Sequence, residues 1–334
     1  MKFTYPKFLP LANLPTPIEK LERLSDAWGG PDIYVKRDDL TGCAVSGNKI
    51  RKLAFSVAEA LDQSADTLIT CGGIQSNHAR ATAVVAARTG MACQLLLWGK
   101  QPNVYQGNLL IDRLVGADIQ FIPSDSFSEM ESVLADTAQQ LRQNGKRPYI
   151  IPEGASNEIG YFGYIQAAEE IQCQLEEMDL EMDVIITAVG SGGTLGGLIL
   201  GQIFFGLKAE PIGINVNHTA SYFQNRISGV VDWMIKKYVW KLKLPKTSIR
   251  LIDGYVGKGY AISRPEELSL IAEVARLEGL ILDPVYTGKA LFGLRDQIRQ
   301  GRFTKGQKIL FLHTGGIFGV FPKNREFEEN LSFE

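Results

Sequence analysis

No run in this chain is apolar for long enough to span a bilayer, and no excess of one charge exists: 35 Lys and Arg stand against 37 Asp and Glu, a net charge of -2. The first lack argues against a membrane-spanning helix, and the second removes the basic field that would hold a nucleic acid or an acidic lipid surface. The first ten residues lack the charged start and apolar block of a secretory signal, so a cytoplasmic protein without nucleic-acid or membrane partners is expected. Cysteine is scarce and unpaired in spacing: Cys43, Cys71, Cys93 and Cys173 read as reduced, buried thiols. The three histidines, His78, His218 and His313, are isolated, and no HExxH or paired CxxC pattern occurs, so no metal site is expected.

What the chain has is glycine in the right places. Three glycine-flanked loops, Ser46 to Lys49, Gly72 to His78 and Gly190 to Gly196, each precede a helix-like stretch. The second and third follow short apolar runs, Leu68 to Cys71 and Val184 to Val189, that read as buried parallel strands. Strand-like and helix-like stretches alternate through most of the 334 residues, which predicts an α/β protein of two domains, each an open, mostly parallel sheet covered by helices. The expected division is a small domain over 48–162 and a large one over 1–47 plus 163–334. A strand is predicted at Ala92 to Leu97, a helix at Gln106 to Leu114, a strand at Asp118 to Ile122 and a long amphipathic helix from Gly163 to about Leu175. The Lys- and Trp-rich stretch Val231 to Leu244 reads as an ordinary amphipathic helix, with a docking surface or lid as the alternative.

A helix N-terminus gathers unpaired amides and positive dipole, so three of them facing one crevice would suit anions and one special lysine. Lys49 falls in the first turn of a helix capped by Asn48, with Ile50, Leu53, Val57 and Leu61 as its apolar face. Burial and the dipole would lower its pKa, as chemistry with an aldehyde requires; alternatively Lys49, like Arg51 and Lys52, is a surface charge. Gly190 to Gly196 lacks the Gly-Lys-Ser/Thr ending of a Walker loop, and Leu195 stands where a dinucleotide fingerprint needs glycine. A mononucleotide-sized phosphate held by amides remains, beside glycines that merely allow tight packing. Ser76 reads as a helix cap, but Gln75, Asn77 and His78 crowd more polar groups onto that turn than capping needs.

In this order and at these separations, SGNKIRKL, GGIQSNHARATA, GSGGTLGG, DPVYTGKA and HTGG resemble the ACC deaminase and D-cysteine desulfhydrase family, over about Pro15 to Gly319. The resemblance implies the tryptophan-synthase-β-like fold and pyridoxal 5′-phosphate as cofactor. It makes Lys49 the Schiff-base lysine beside Asn48, and gives the cofactor phosphate to Gly190, Ser191, Gly192, Gly193 and Thr194. Asn77 would contact the phenolic oxygen, and the turn of Gln75, Ser76, Asn77 and His78 would receive the substrate carboxylate. Ser76, Tyr260 and Tyr286 inherit catalytic roles. Thr287 and Thr314 replace the glutamate and leucine of the deaminases and point to the desulfhydrase branch, with the ring nitrogen as their expected partner. The implied activity is β-elimination from a small amino acid, D-cysteine first, in a homodimer; alternatives are ACC deamination, L-cysteate lysis and, outside enzymes, a pyridoxal-phosphate carrier.

Overall fold

A computed structural model describes residues 4–123 and 129–330. Among these described residues, ten strands form two sheets. They are β1 (Ile18–Lys20), β2 (Asp32–Lys36), β3 (Thr67–Gly73), β4 (Ala92–Trp98), β5 (Asp118–Ile122), β6 (Pro148–Ile150), β7 (Val184–Val189), β8 (Glu210–Asn215), β9 (Arg250–Ile252) and β10 (Lys308–Leu312). The helices between and around them are α1 (Glu22–Trp28), α2 (Lys49–Asp62), α3 (Asn77–Thr89), α4 (Gly107–Leu114), α5 (Met130–Gln143), α6 (Glu158–Glu177), α7 (Gly193–Phe205), α8 (Ala220–Lys237), α9 (Pro265–Glu278), α10 (Thr287–Arg299) and α11 (Asn324–Asn330).

The larger sheet has the order β1-β2-β10-β7-β8-β9, parallel except for the antiparallel edge strand β1. The smaller is β5-β4-β3-β6 and wholly parallel. Successive residues on a strand face opposite ways, so each apolar strand feeds two cores. On β10, Ile309 and Phe311 join α1, α9 and α10, whereas Leu310 and Leu312 join α6 and α7. On the smaller sheet, Leu68, Leu95 and Leu97 pack under α2 and α3, and Ile69, Cys71 and Leu96 under α5. Both sheets therefore carry helices on both faces, as the continuous apolar runs require. No helix among the described residues is long and apolar enough to cross a membrane.

Several expectations need correction. Cys71 and Cys93 lie buried in β3 and β4, but Cys43, in a loop, and Cys173, on the outer side of α6, are exposed. The long helix α6 starts at Glu158, five residues before Gly163, where Asn157 accepts a bond from the Gly160 amide at 3.3 Å. Its first half is buried all round rather than amphipathic, because it is packed between α2 and α7. A Cβ on Gly163 would strike the backbone of Arg51, so the closeness of α6 to α2 rests on that glycine. The stretch Val231 to Leu244 is helical only to Lys237 and then runs as coil toward Pro245.

Arg51 and Lys52 are not surface charges. Both are buried on α2, while Leu61, expected on its apolar face, is 38 % exposed. Arg51 donates to Asp38 through Nε (2.9 Å) and Nη2 (2.8 Å) and to Glu170 through Nη1 (2.9 Å). Lys36 reaches Glu170 at 2.5 Å, and the Tyr164 hydroxyl donates to Asp38 at 2.5 Å. These charged and polar side chains tie α2 and α6 to the end of β2, close along the chain to Lys49.

Candidate active site

The crevice lies at the C-terminal ends of strands from both sheets. Its wall includes Asn48, Lys49, Ser76, Asn77, His78, Glu153, Tyr286 and Thr314 together with Gly190, Ser191, Gly192 and Thr194 of the glycine loop, but not Gly193. β3 leads into α3, β7 into α7 and β10 into the His313 to Gly316 segment, and α2 and α10 begin beside them. In open parallel sheets this edge is where ligands sit, since helix N-termini point their unpaired amides into it.

Lys49 opens α2, with Nζ 5.8 Å from the centre of the Tyr286 ring. Burial lowers its pKa to about 8; the carboxylates of Glu153 and Asp283 oppose the shift and Arg80 adds to it. Asn48 does not cap α2. Its backbone is already helical (φ -61°), and its side chain instead donates to Thr194 Oγ1 at 2.9 Å while its amide donates to the Thr314 carbonyl at 3.1 Å. Gly47, at φ +109°, lets the turn press against that carbonyl, which carries Asn48 across to the other loops.

At the α7 end, Gly192 has φ +89° and no side chain caps the helix, so the first amides of α7 lack a side-chain cap. Lys52 Nζ lies 3.4 Å from Ser156 Oγ, which is 2.8 Å from Ser191 Oγ. Burial, and then the neighbouring charges of Lys49 and Arg226, depress the Lys52 pKa well below the usual range. The Tyr161 hydroxyl is buried without a partner; a Cβ on Gly196 of α7 would lie 2.9 Å from it. Uncapped amides, a buried amine short of acceptors that an anion would help to protonate, and paired hydroxyls fit a phosphate group.

Ser76 caps α3, accepting from the Ala79 amide at 3.1 Å, and its hydroxyl proton stays available. Asn77 accepts from Asn108 at 3.1 Å. His78 reaches the crevice wall, but its Nε2 is bonded to Thr70 Oγ1 at 2.8 Å, and burial keeps the ring neutral. Gln75 turns away: Nε2 donates to the Gln106 carbonyl and Oε1 accepts from the Asn108 amide, holding the start of α4.

Tyr286 lines the crevice, and its hydroxyl is 2.5 Å from that of Tyr260, which is not itself part of the wall. Burial raises the pKa of both phenols, so both stay protonated at neutral pH. One O–H is used between them and the other remains to donate. Lys289, on α10, donates to the carbonyls of Val256 (2.6 Å) and Gly259 (2.9 Å) and so fixes the loop that carries Tyr260. Thr287 does not line the crevice: its hydroxyl donates to Asp283 Oδ1 at 2.7 Å and accepts from the Asp283 amide at 2.8 Å. Asp283 in turn accepts from the amides of Val285, Tyr286 and Thr287. Thr314 does line it. His313, behind it, accepts from the Gly315 amide and bonds the Ile281 carbonyl, which shapes the glycine pair.

A model of the pyridoxal-phosphate-dependent enzymes matches residues 9–315. This chain belongs to that family. Within it, the chain is 43 % identical over 324 residues to the bifunctional D-cysteine desulfhydrase/1-aminocyclopropane-1-carboxylate deaminase of Arabidopsis thaliana, covering 94 % of this chain and 79 % of that protein. It is 40 % identical over 318 residues to the D-cysteine desulfhydrase of Yersinia pestis, covering 94 % of each. A crystal structure of an ACC deaminase homologue superposes with a TM-score of 0.89 at 37 % identity, covering 98 % of this chain and 97 % of that one. The chain is thus a member of the ACC deaminase and D-cysteine desulfhydrase family, a pyridoxal-phosphate enzyme of fold type II, and the carrier alternative falls away.

Sequence reasoning missed Lys52, Glu153, Asp283, Arg80 and Asn108. For Lys52 a signal existed, since it lies three residues from Lys49 and so on the same helix face. Arg80, Asn108 and Glu153 face groups far along the chain, whereas Asp283 holds the turn of Val285, Tyr286 and Thr287 within four residues of itself.

Proposed function

We propose that the chain eliminates the β-substituent of a small amino acid, with D-cysteine and water giving pyruvate, sulfide and ammonia. The observation that carries the choice of branch is the hydroxyl character of Thr287 and Thr314, with the nearby carboxylate of Asp283 consumed by three amides and a hydroxyl. A neutral hydroxyl holds a ring nitrogen protonated less firmly than a carboxylate, which suits β-elimination better than opening a cyclopropane. In this reading Thr314 faces that nitrogen, and Thr287 acts by fixing Asp283.

Bound pyridoxal phosphate supplies an electron sink for the pair left when Cα loses its proton. The amides of Gly190 to Thr194, with Ser191 and Lys52, hold the phosphate, and Asn48 braces that loop through Thr194. Asn77 donates to the phenolic oxygen. Ser76 and the first amides of α3 take the substrate carboxylate, in a turn shaped by Gln75 and lined by the neutral His78. Lys49, a base at and above about pH 8, receives the Cα proton at Nζ. Tyr286, hydrogen-bonded to Tyr260, gives its proton to the departing sulfur. A small domain over 48–162 set against a large one over 1–47 plus 163–334, in a cytoplasmic homodimer, completes the proposal; sheet membership supports the division, and the family supports the rest.

ACC deamination is the second reading, favoured by the Arabidopsis relative whose name carries both activities. The test is parallel release of sulfide and pyruvate from D-cysteine by cofactor-loaded protein, with ammonia from ACC, sulfite from L-cysteate and the Lys49→Ala variant alongside. Equimolar sulfide and pyruvate, lost in the variant, are expected. No sulfide from protein that carries its cofactor would overturn the assignment.

A further inference from the structure

Asn108, the second residue of α4, is fully buried, and both ends of its amide have unambiguous partners. Its Oδ1 accepts from Arg80 Nε at 3.0 Å, and a guanidinium has no acceptor of its own. Its Nδ2 donates to the Gln75 carbonyl at 3.0 Å, and a carbonyl has no donor. The orientation of the Asn108 amide is therefore forced. The same Nδ2 also donates to Asn77 Oδ1 at 3.1 Å, which leaves Asn77 Nδ2 for the crevice. There Nδ2 faces the glycine segment after β10: a Cβ on Gly316 would stand 3.0 Å from it.

Arg80 is itself over-determined. Nη1 and Nη2 donate to the carbonyls of Ala44 (2.5 Å) and Ser46 (2.9 Å), in the loop that leads to Lys49. The Phe318 ring covers the guanidinium at 5.0 Å. One buried cation thus locks the Lys49 loop, α3 and α4 together and passes a defined polarity down the chain Arg80, Asn108, Asn77.

We propose that Asn108, oriented by Arg80, is a positioning residue that makes Asn77 present an N–H donor rather than a carbonyl acceptor to the cofactor ring. The inference rests on Asn77 facing that ring. Its consequence is a site that prefers an electron-rich oxygen on the ring beside Asn77 and would reject one if the amide turned round.

Asn108→Asp tests this with almost no change of shape. One oxygen of the new carboxylate keeps Arg80, but the other now meets two acceptors, Gln75 O and Asn77 Oδ1. Asn77 relieves the clash by rotating its amide, so that its Nδ2 turns to the new carboxylate and its Oδ1 to the crevice. The expected result is folding as in the parent by circular dichroism, cofactor affinity weaker by about tenfold or more, and a displaced absorption maximum of the bound cofactor. Asn77→Ala is measured in parallel. If it leaves affinity and spectrum unchanged, Asn77 does not face the ring and its role in the proposed function fails. If it changes them while Asn108→Asp does not, the positioning inference alone is overturned. Should Asn108→Asp not fold, Asn108→Ala decides: a smaller change in the same direction supports the inference, and a spectrum and affinity equal to the parent's overturn it.

Discussion

The burial of Lys49 comes at a cost to stability. In the unfolded chain it titrates as an ordinary lysine near 10.5, and in the folded protein at about 8, chiefly because burial disfavours its charge. Between those values the unfolded chain binds more protons, so the stability of the cofactor-free protein rises as pH goes from about 8 to about 10.5. Below that window the full penalty applies. Lys49→Met in the cofactor-free protein is therefore expected to raise stability at pH 7 by an amount on the order of 1–3 kcal/mol, with the gain shrinking by pH 10. Urea unfolding at both pH values checks this, and an equal or lower stability of the variant at pH 7 would contradict it. The charge of Lys49 was readable as special only through its loop. For Lys52 the spacing placed it on the same helix face as Lys49, but its acceptor Ser156, over a hundred residues away, was not legible.

The elements most legible in the sequence are those whose cause is local. β5 and β7 occupy the predicted residues, Asp118–Ile122 and Val184–Val189: the first alternates polar and apolar side chains, and the second is a short, almost wholly apolar run, each a local strand signal. α3 ends at Gly90 in the left-handed conformation, as the glycine signalled. The start of α6 was missed because it depends on the Asn157 side chain rather than on apolar periodicity. The docking of α2 was missed for a different reason: Arg51 is buried by Asp38, Glu170 and Tyr164, contributed by segments before and after it. Burial alone would raise the Asp38 pKa, yet Arg51 and Lys36 hold it below the usual carboxylate range. Asp38→Asn would leave Arg51 bound only to Glu170 on its charged side, at an expected cost of about 3–5 kcal/mol. A urea midpoint shift equivalent to less than about 1 kcal/mol would mean that the network is no stronger than a surface pair.

At the scale of the whole molecule, the crevice exists only because two sheets aim their C-terminal edges at one place. Lys49, Ser76 and Asn77 come from the first third of the chain, the Gly190 to Thr194 loop from the middle, and Thr314 and Tyr286, with Tyr260 bonded to it, from the last quarter. The family motifs made this convergence legible as a set, although each loop alone admitted a structural explanation. What they did not reveal is the layer behind them: Asn108 behind Asn77, Asp283 behind Thr287, and Lys289 behind the tyrosine pair. Asn108 and Lys289 act through hydrogen bonds whose partners only the fold brings together, whereas Asp283 holds its own turn.

The central claim is that this convergence selects Lys49, and not the fully buried Lys52 one turn away, as the lysine joined to the cofactor. Borohydride reduction of the loaded protein, followed by digestion and fragment mass mapping, tests it directly. The account predicts the pyridoxyl mass on Lys49 alone, with Lys52 unmodified; a tag on Lys52, or loaded protein without any lysine tag, would contradict it.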